Sequence, residues 1–207
     1  MNIVPSTALG AKQRMAASGL ILGGWVALHM AGNLLFFGPP ALINAYGGAL
    51  QGSPLVWGMR AGLLVLITVH VDAAVRVIRQ TRRARGGGYR GPRALGQTSL
   101  AARSMAWTGA LLVGLLVYHL LHIFGPLHPD YLSGDVHHNL SAGLASPIHA
   151  LAYGVMAGLT GLHLRHGAVS MLRTLGLVWP RVERGLVVAA VTVAVGFCLP
   201  ALASLVG

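Results

Sequence analysis

Residues 18–34 read SGLILGGWVALHMAGNL. They lie in an apolar run at about 15–37, and a helix needs about 20 such residues to cross a bilayer core, where no water satisfies backbone groups. Lys12 and Arg14 stand just before it, as in a signal peptide. The run is too long for a signal sequence, lacks a convincing small-residue cleavage site, and contains His29 and Asn33. It reads as a retained membrane span that carries a histidine.

The rest of the chain repeats the pattern. Of 207 residues, 55% are hydrophobic and 9% charged, with a mean hydropathy of +0.67; soluble domains carry about 25% charged residues. Four more apolar runs lie at about 56–79, 101–124, 147–172 and 185–206. The expectation is an all-α integral membrane protein, one domain over 1–207, with five transmembrane helices in a bundle. The single cysteine, Cys198, lies deep in the last run, so the chain builds no disulfide or thiolate cluster by itself.

Formal net charge is +11, and most of the basic residues flank the spans. Arg76, Arg79, Arg82, Arg83, Arg85, Arg90 and Arg93 follow the second run; Arg173, Arg181 and Arg184 precede the last. The positive-inside rule then puts these loops and the N-terminus in the cytoplasm and the C-terminus outside a bacterial inner membrane. The loops at about 38–55 and 125–146 fall outside, the longer with Asp130, Asp135, His128, His137 and His138. A short basic loop between spans reports topology and meets anionic lipid or an acidic partner, so no nucleic acid is expected.

Ten histidines remain to be explained, because ionisable groups inside a membrane are costly and usually functional. At 1.5 Å per residue from the cytoplasmic ends, His29 lies about 21 Å along the first helix and His119 about 27 Å along the third. His70 and His163, on the inward-running second and fourth helices, lie about 13 Å from that side. This sorts them into an outer pair, His29 with His119, and an inner pair, His70 with His163, about 8 to 14 Å apart. Facing neutral imidazoles in a helix bundle suit the axial positions of b-type haems, so two haems b are expected. His122 and His166, one turn from His119 and His163, are register alternatives. Gly32, Gly62, Gly109, Gly161 and Gly167 offer room for a flat ring, although glycine also serves ordinary helix contacts. A zinc or copper site would need its ligands at one depth. A proton path through His122, His149 and His166 is conceivable, and Asp72 is the sole span carboxylate.

These residues resemble a known family, the five-helix, di-haem (type B) cytochrome b membrane anchors of succinate dehydrogenase and fumarate reductase. The resemblance covers nearly the whole chain. It rests on SGLILGGWVALHMAGNL, RAGLLVLITVHV, RSMAWTGALLVGLLVYHLLHIF and LHLRHGAVSMLRTLGL, four loose motifs in the family's order. It implies His29 and His119 for the distal haem and His70 and His163 for the proximal one. His163 stands four residues before Gly167, and His119 begins an HL pair, as in the family. It also implies a flavoprotein and an iron–sulfur subunit on the cytoplasmic face, succinate chemistry on those partners, electron exchange with membrane quinone, by family habit menaquinone, and a higher oligomer of the complex as a further option. The membrane glutamates that some members use for protons are missing from these spans.

Arg60 for the distal haem, and Arg103 and Ser18 for the proximal one, are candidate partners of haem propionates; interface anchoring explains the arginines equally well. Trp107, Tyr118, Tyr153 and Trp179 are candidate quinone-lining residues that also suit interface belts. The competing expectation is a non-redox transporter or assembly factor whose histidines bind metal or protons.

Overall fold

The computed structural model describes residues 8–84, 100–128, 130–177 and 179–206, with side chains described from residue 9 to 83 and from 104 onward within those ranges. Among the described residues the regular structure is all helical, with no strand. Helix α1 spans Ala8–Asn33 and tightens into a 3-10 turn at Leu34–Phe37; α2 is Pro40–Gly52, α3 Leu55–Ala84, α4 Leu100–Ile123, α5 Val136–Ala145, α6 Pro147–Thr174 and α7 Pro180–Val206.

The helix starts follow from local chemistry. Pro40, Pro147 and Pro180 open α2, α6 and α7, at the first helical position, where a missing N–H costs nothing and φ is already set. Asp135 caps α5 by accepting from the His138 amide. Helix α6 ends where Gly176 adopts φ +75, with Leu177 N–H bonding back to Leu172 O and Gly176 N–H to Arg173 O, the paired-bond C-cap that glycine makes without strain.

Four helices, α1, α3, α4 and α7, are long and apolar enough to cross a membrane, and a fifth span is reached if α5 and α6, bent by 102°, count as one. Polar residues within α6, among them His149, His163, Arg165 and His166, dilute its hydropathy. The segments expected as plain loops, 38–55 and 125–146, instead hold α2 and α5. These short helices bury Ile43 and Leu144 and lie across one end of the bundle, where Asn44 of α2 donates to Asp135 and accepts from the His137 amide. We call this the capped end. The opposite, basic end carries the arginines at the close of α3 and the Arg173–Glu183 ion pair that ties α6 to α7.

The bundle is apolar outside, with Leu28, Leu64, Ile148 and Val188 all exposed, as a protein solvated by lipid requires. Its buried residues are mostly small. At Gly161 a Cβ would stand 2.7 Å from Ala194 Cβ and 3.3 Å from the Ala190 carbonyl, so α6 and α7 approach nearly backbone to backbone. Helix α6 is the hub and packs on α7, α4 and α1, while α1 also packs on α3. Among the described residues helix α1 makes little close contact with α4, and α3 little with α6. Those two separated pairs carry the histidines.

Candidate cofactor site

Across the first gap His29 of α1 faces His119 of α4, with ring centres 6.0 Å apart and planes at 73°. Across the second, His70 of α3 faces His163 of α6 at 6.3 Å and 72°. Two imidazoles bound to opposite sides of one metal ion through bonds of about 2.0–2.1 Å hold their ring centres about 6.3 Å apart. Both pairs fit that spacing. Among the described residues no three His, Cys, Asp or Glu side chains are grouped to hold a bare ion; each pair supplies two imidazoles from facing helices, the number that would complete an iron with four ring nitrogens of its own.

The separation of the layers can be read on three helices. On α1, Gly19 stands against His70, ten residues before His29. On α4, Gly109 stands against His163, ten residues before His119. On α6, Tyr153 meets His119, ten residues before His163. Ten residues rise about 15 Å, slightly more than the 8 to 14 Å expected from the spans.

Hydrogen bonds orient three of the four rings. His70 Nδ1 lies 3.1 Å from Ser18 Oγ and 3.2 Å from the Met15 carbonyl. A carbonyl only accepts and the Ser18 hydroxyl donates to Arg14 O, so Nδ1 carries the proton and Nε2 keeps a free lone pair. His163 repeats this: its Nδ1 is 3.2 Å from Thr108 Oγ1, whose proton goes to Met105 O. His119 Nδ1 lies 3.2 Å from the Tyr153 hydroxyl. Such partners fix tautomer and ring direction in histidines that bind metals. His29 is held mainly by packing between Trp25 and Phe197; its Nε2 contact with Asn33 is long, 3.4 Å, beside the 2.8 Å bond from the same amide to the His29 carbonyl.

The sequence candidates divide accordingly. Ser18, expected as a propionate partner, is 3% exposed and orients His70 instead. Arg60 lies ten residues from His70 on α3, at the level of the other pair, its guanidinium 4.9 Å over Trp57 and 5.5 Å over Phe124. The Arg103 side chain lies outside the described residues. His122 does not face His29; it bonds through Nδ1 to Tyr153 at 3.0 Å and stacks on His128. His166 lies a turn beyond His163 towards the basic end. Of the glycines, Gly109 backs His163, Gly32 meets the Tyr46 ring, Gly161 serves the α7 contact, Gly62 borders open space and Gly167 touches only Met105. Tyr118 and Tyr153 are committed to histidines, whereas Trp107 and Trp179 face outward.

Thr108 and Tyr153 are orienting residues that the sequence pattern did not single out for that role. A signal for the first exists: Ser18-Gly19 precedes His29 and Thr108-Gly109 precedes His119 at the same spacing, with Gly24 and Gly114 midway. Each hydroxyl–glycine pair gives one ring a hydrogen bond and room to approach. No protein-family model, curated protein or solved structure matches the chain.

Proposed function

We propose that this chain is a membrane-embedded di-haem cytochrome b and, by its resemblance to the type B anchors, the anchor subunit of a succinate:quinone oxidoreductase. The observation that carries the reading is the pair of histidine layers: four helices, one imidazole each, ring centres 6.0 and 6.3 Å apart, in layers about 15 Å apart. The four histidines would hold two haems b, and each haem, when bound, supplies one-electron chemistry at its iron.

The protein's own contribution is placement. Ser18 and Thr108 hold the Nδ1 protons of the His70–His163 pair, which leaves both Nε2 atoms free to bind. The Tyr153 hydroxyl, 3.2 Å from His119 Nδ1, orients that ring. Lipid-facing apolar helices keep bulk water from the route between the layers. With the basic end in the cytoplasm, Arg79, Arg82 and Arg83 offer cations to an acidic partner surface, here an iron–sulfur subunit with its flavoprotein. The His70–His163 layer is then the one nearer that partner, and His29 and His119 would hold the haem that supplies electron exchange with membrane quinone, by resemblance menaquinone. Arg60, at the second layer's level, is available to a propionate.

The test is the visible spectrum of the purified chain, which should show two haems b per chain. Substituting His70 or His163 should abolish the same haem and spare the other. A native chain without a reduced-haem band, or loss of different haems from those two variants, would refute the proposal.

A further inference from the structure

At the capped end, beyond His119, lies a histidine cluster that neither imidazole pair uses. His122 and His128 are only 4% and 5% exposed, their ring centres 5.0 Å apart and nearly parallel. His149 stands 4.5 Å from His122 and hydrogen-bonds to Tyr118. His128 Nε2 donates to the Asn139 carbonyl at 2.9 Å, so its Nδ1 carries a lone pair. That Nδ1 and His122 Nε2 are both buried without a hydrogen-bond partner. An unpaired buried polar atom is costly, and this cluster holds two of them.

The cluster is built to be covered. Helix α5 closes over it at Gly143, where a Cβ would stand 2.7 Å from His122 Cε1 and 2.9 Å from His128 Nε2; the fold admits no side chain there without displacing both rings. The groups that face His122 are Tyr118 on its own helix, His149 and Tyr153 from α6 and His128 from the connecting loop, while α5 presents the uncharged Gly143. One end of the cluster is joined to the first layer, since Tyr153 bridges His122 and His119. The other reaches the surface through His149, which is half-buried.

We propose that His122, His128 and His149 form a proton relay between the capped-end surface and the His29–His119 haem, loading one proton when that haem takes an electron. The inference rests on the haem reading above. Were that haem reduced by one electron from a quinol or a reduced partner cluster, the histidine cluster would take up one proton from hydronium at the surface, whose O–H bond breaks as an N–H bond forms on an imidazole. The summed charge of iron and cluster is then unchanged, which matters in a medium where an uncompensated charge is poorly screened.

The experiment is a spectroelectrochemical titration of the purified chain between about pH 5 and 8, the window of histidine, with the haems assigned by their ligand variants. A fully coupled proton lowers a one-electron potential by about 59 mV for each tenfold fall in proton concentration. The His29–His119 haem should approach that slope and the His70–His163 haem should stay below half of it. His122→Gln and His128→Gln should keep both haems and reduce the first slope to the level of the second. If His122→Gln loses a haem, His128→Gln, further from iron, decides. A native chain without haem overturns the functional reading; two haems with equal slopes, or a slope that survives both variants, overturns the relay alone.

Discussion

Replacing Gly19 by alanine tests the link between helix packing and the inner histidine pair. The new Cβ would stand 3.0 Å from His70 Cε1 and 3.4 Å from Nδ1, where ordinary contact begins at 3.4 Å. The ring must therefore retreat by about 0.4 Å, twice the latitude of about 0.2 Å that metal–ligand distances allow. Retreat also stretches the 3.1 and 3.2 Å bonds to Ser18 and Met15 and closes the 6.3 Å gap to His163. Overpacking of this kind costs about 1–3 kcal/mol, against about 0.5–1 kcal/mol regained when glycine leaves a helix interior. Taking the middle of each range, the net is about 1 kcal/mol, which corresponds to a roughly five-fold weaker hold. Competition with a haem-accepting protein, followed at the reduced α-band, should show one haem lost about five-fold more readily and the other unchanged. Gly185 on α7 borders open space, so Gly185→Ala should leave both haems in place. Equal weakening of both haems by Gly19→Ala, or no effect on either, would refute the reasoning.

Thr108→Val removes the acceptor of the His163 Nδ1 proton while keeping the side-chain shape, and should weaken retention of the same haem by about 10–100-fold; Thr108→Ser should restore it, and haem competition measures both. Because the imidazole planes lie at 73° and 72° within the pairs, both ferric centres should give the highly anisotropic low-spin electron paramagnetic resonance signal of crossed axial ligands. The rhombic signal of parallel planes would contradict the ring geometry. The amide of His138 and the side chain of Asn44 hold the Asp135 carboxyl below its ordinary value. Its stabilising effect is therefore present above the unfolded-state value and lost as pH falls through the folded one. Hydrogen exchange of α5 amides, corrected for intrinsic rates, should rise on acidification through that range, and Asp135→Ala should show the raised exchange already at neutral pH.

How much of this was legible in advance depends on what a one-dimensional pattern encodes. The long apolar runs defined the spans because bilayer thickness sets a length, and a fixed rise per residue converted sequence position into depth, which sorted His29 with His119 and His70 with His163. Depth is all that argument supplies. Residues three apart on a helix differ by about 4.5 Å in height and about 60° around the axis, so choosing His119 over His122 as the partner of His29 required the rotation of α4 against α1. Only packing fixes that rotation: α6 seats against α7 at Gly161, and Tyr153 then meets both α4 histidines from one side. The same holds for Ser18, whose hydroxyl turns to His70 because α1 lies along α3. In sequence the capped end looks like loops because α2 and α5 are too short to announce themselves by apolar length. Their place is set by contacts between residues some 90 positions apart, Asn44 with Asp135 and His137. By itself the sequence determined which runs are long and apolar enough to span a membrane and where along them the imidazoles fall. The tertiary structure decided which imidazoles face each other, which hydroxyls orient them and which histidines are left for other work, since these depend on helix rotation, and helix rotation is fixed only when small residues on different helices meet.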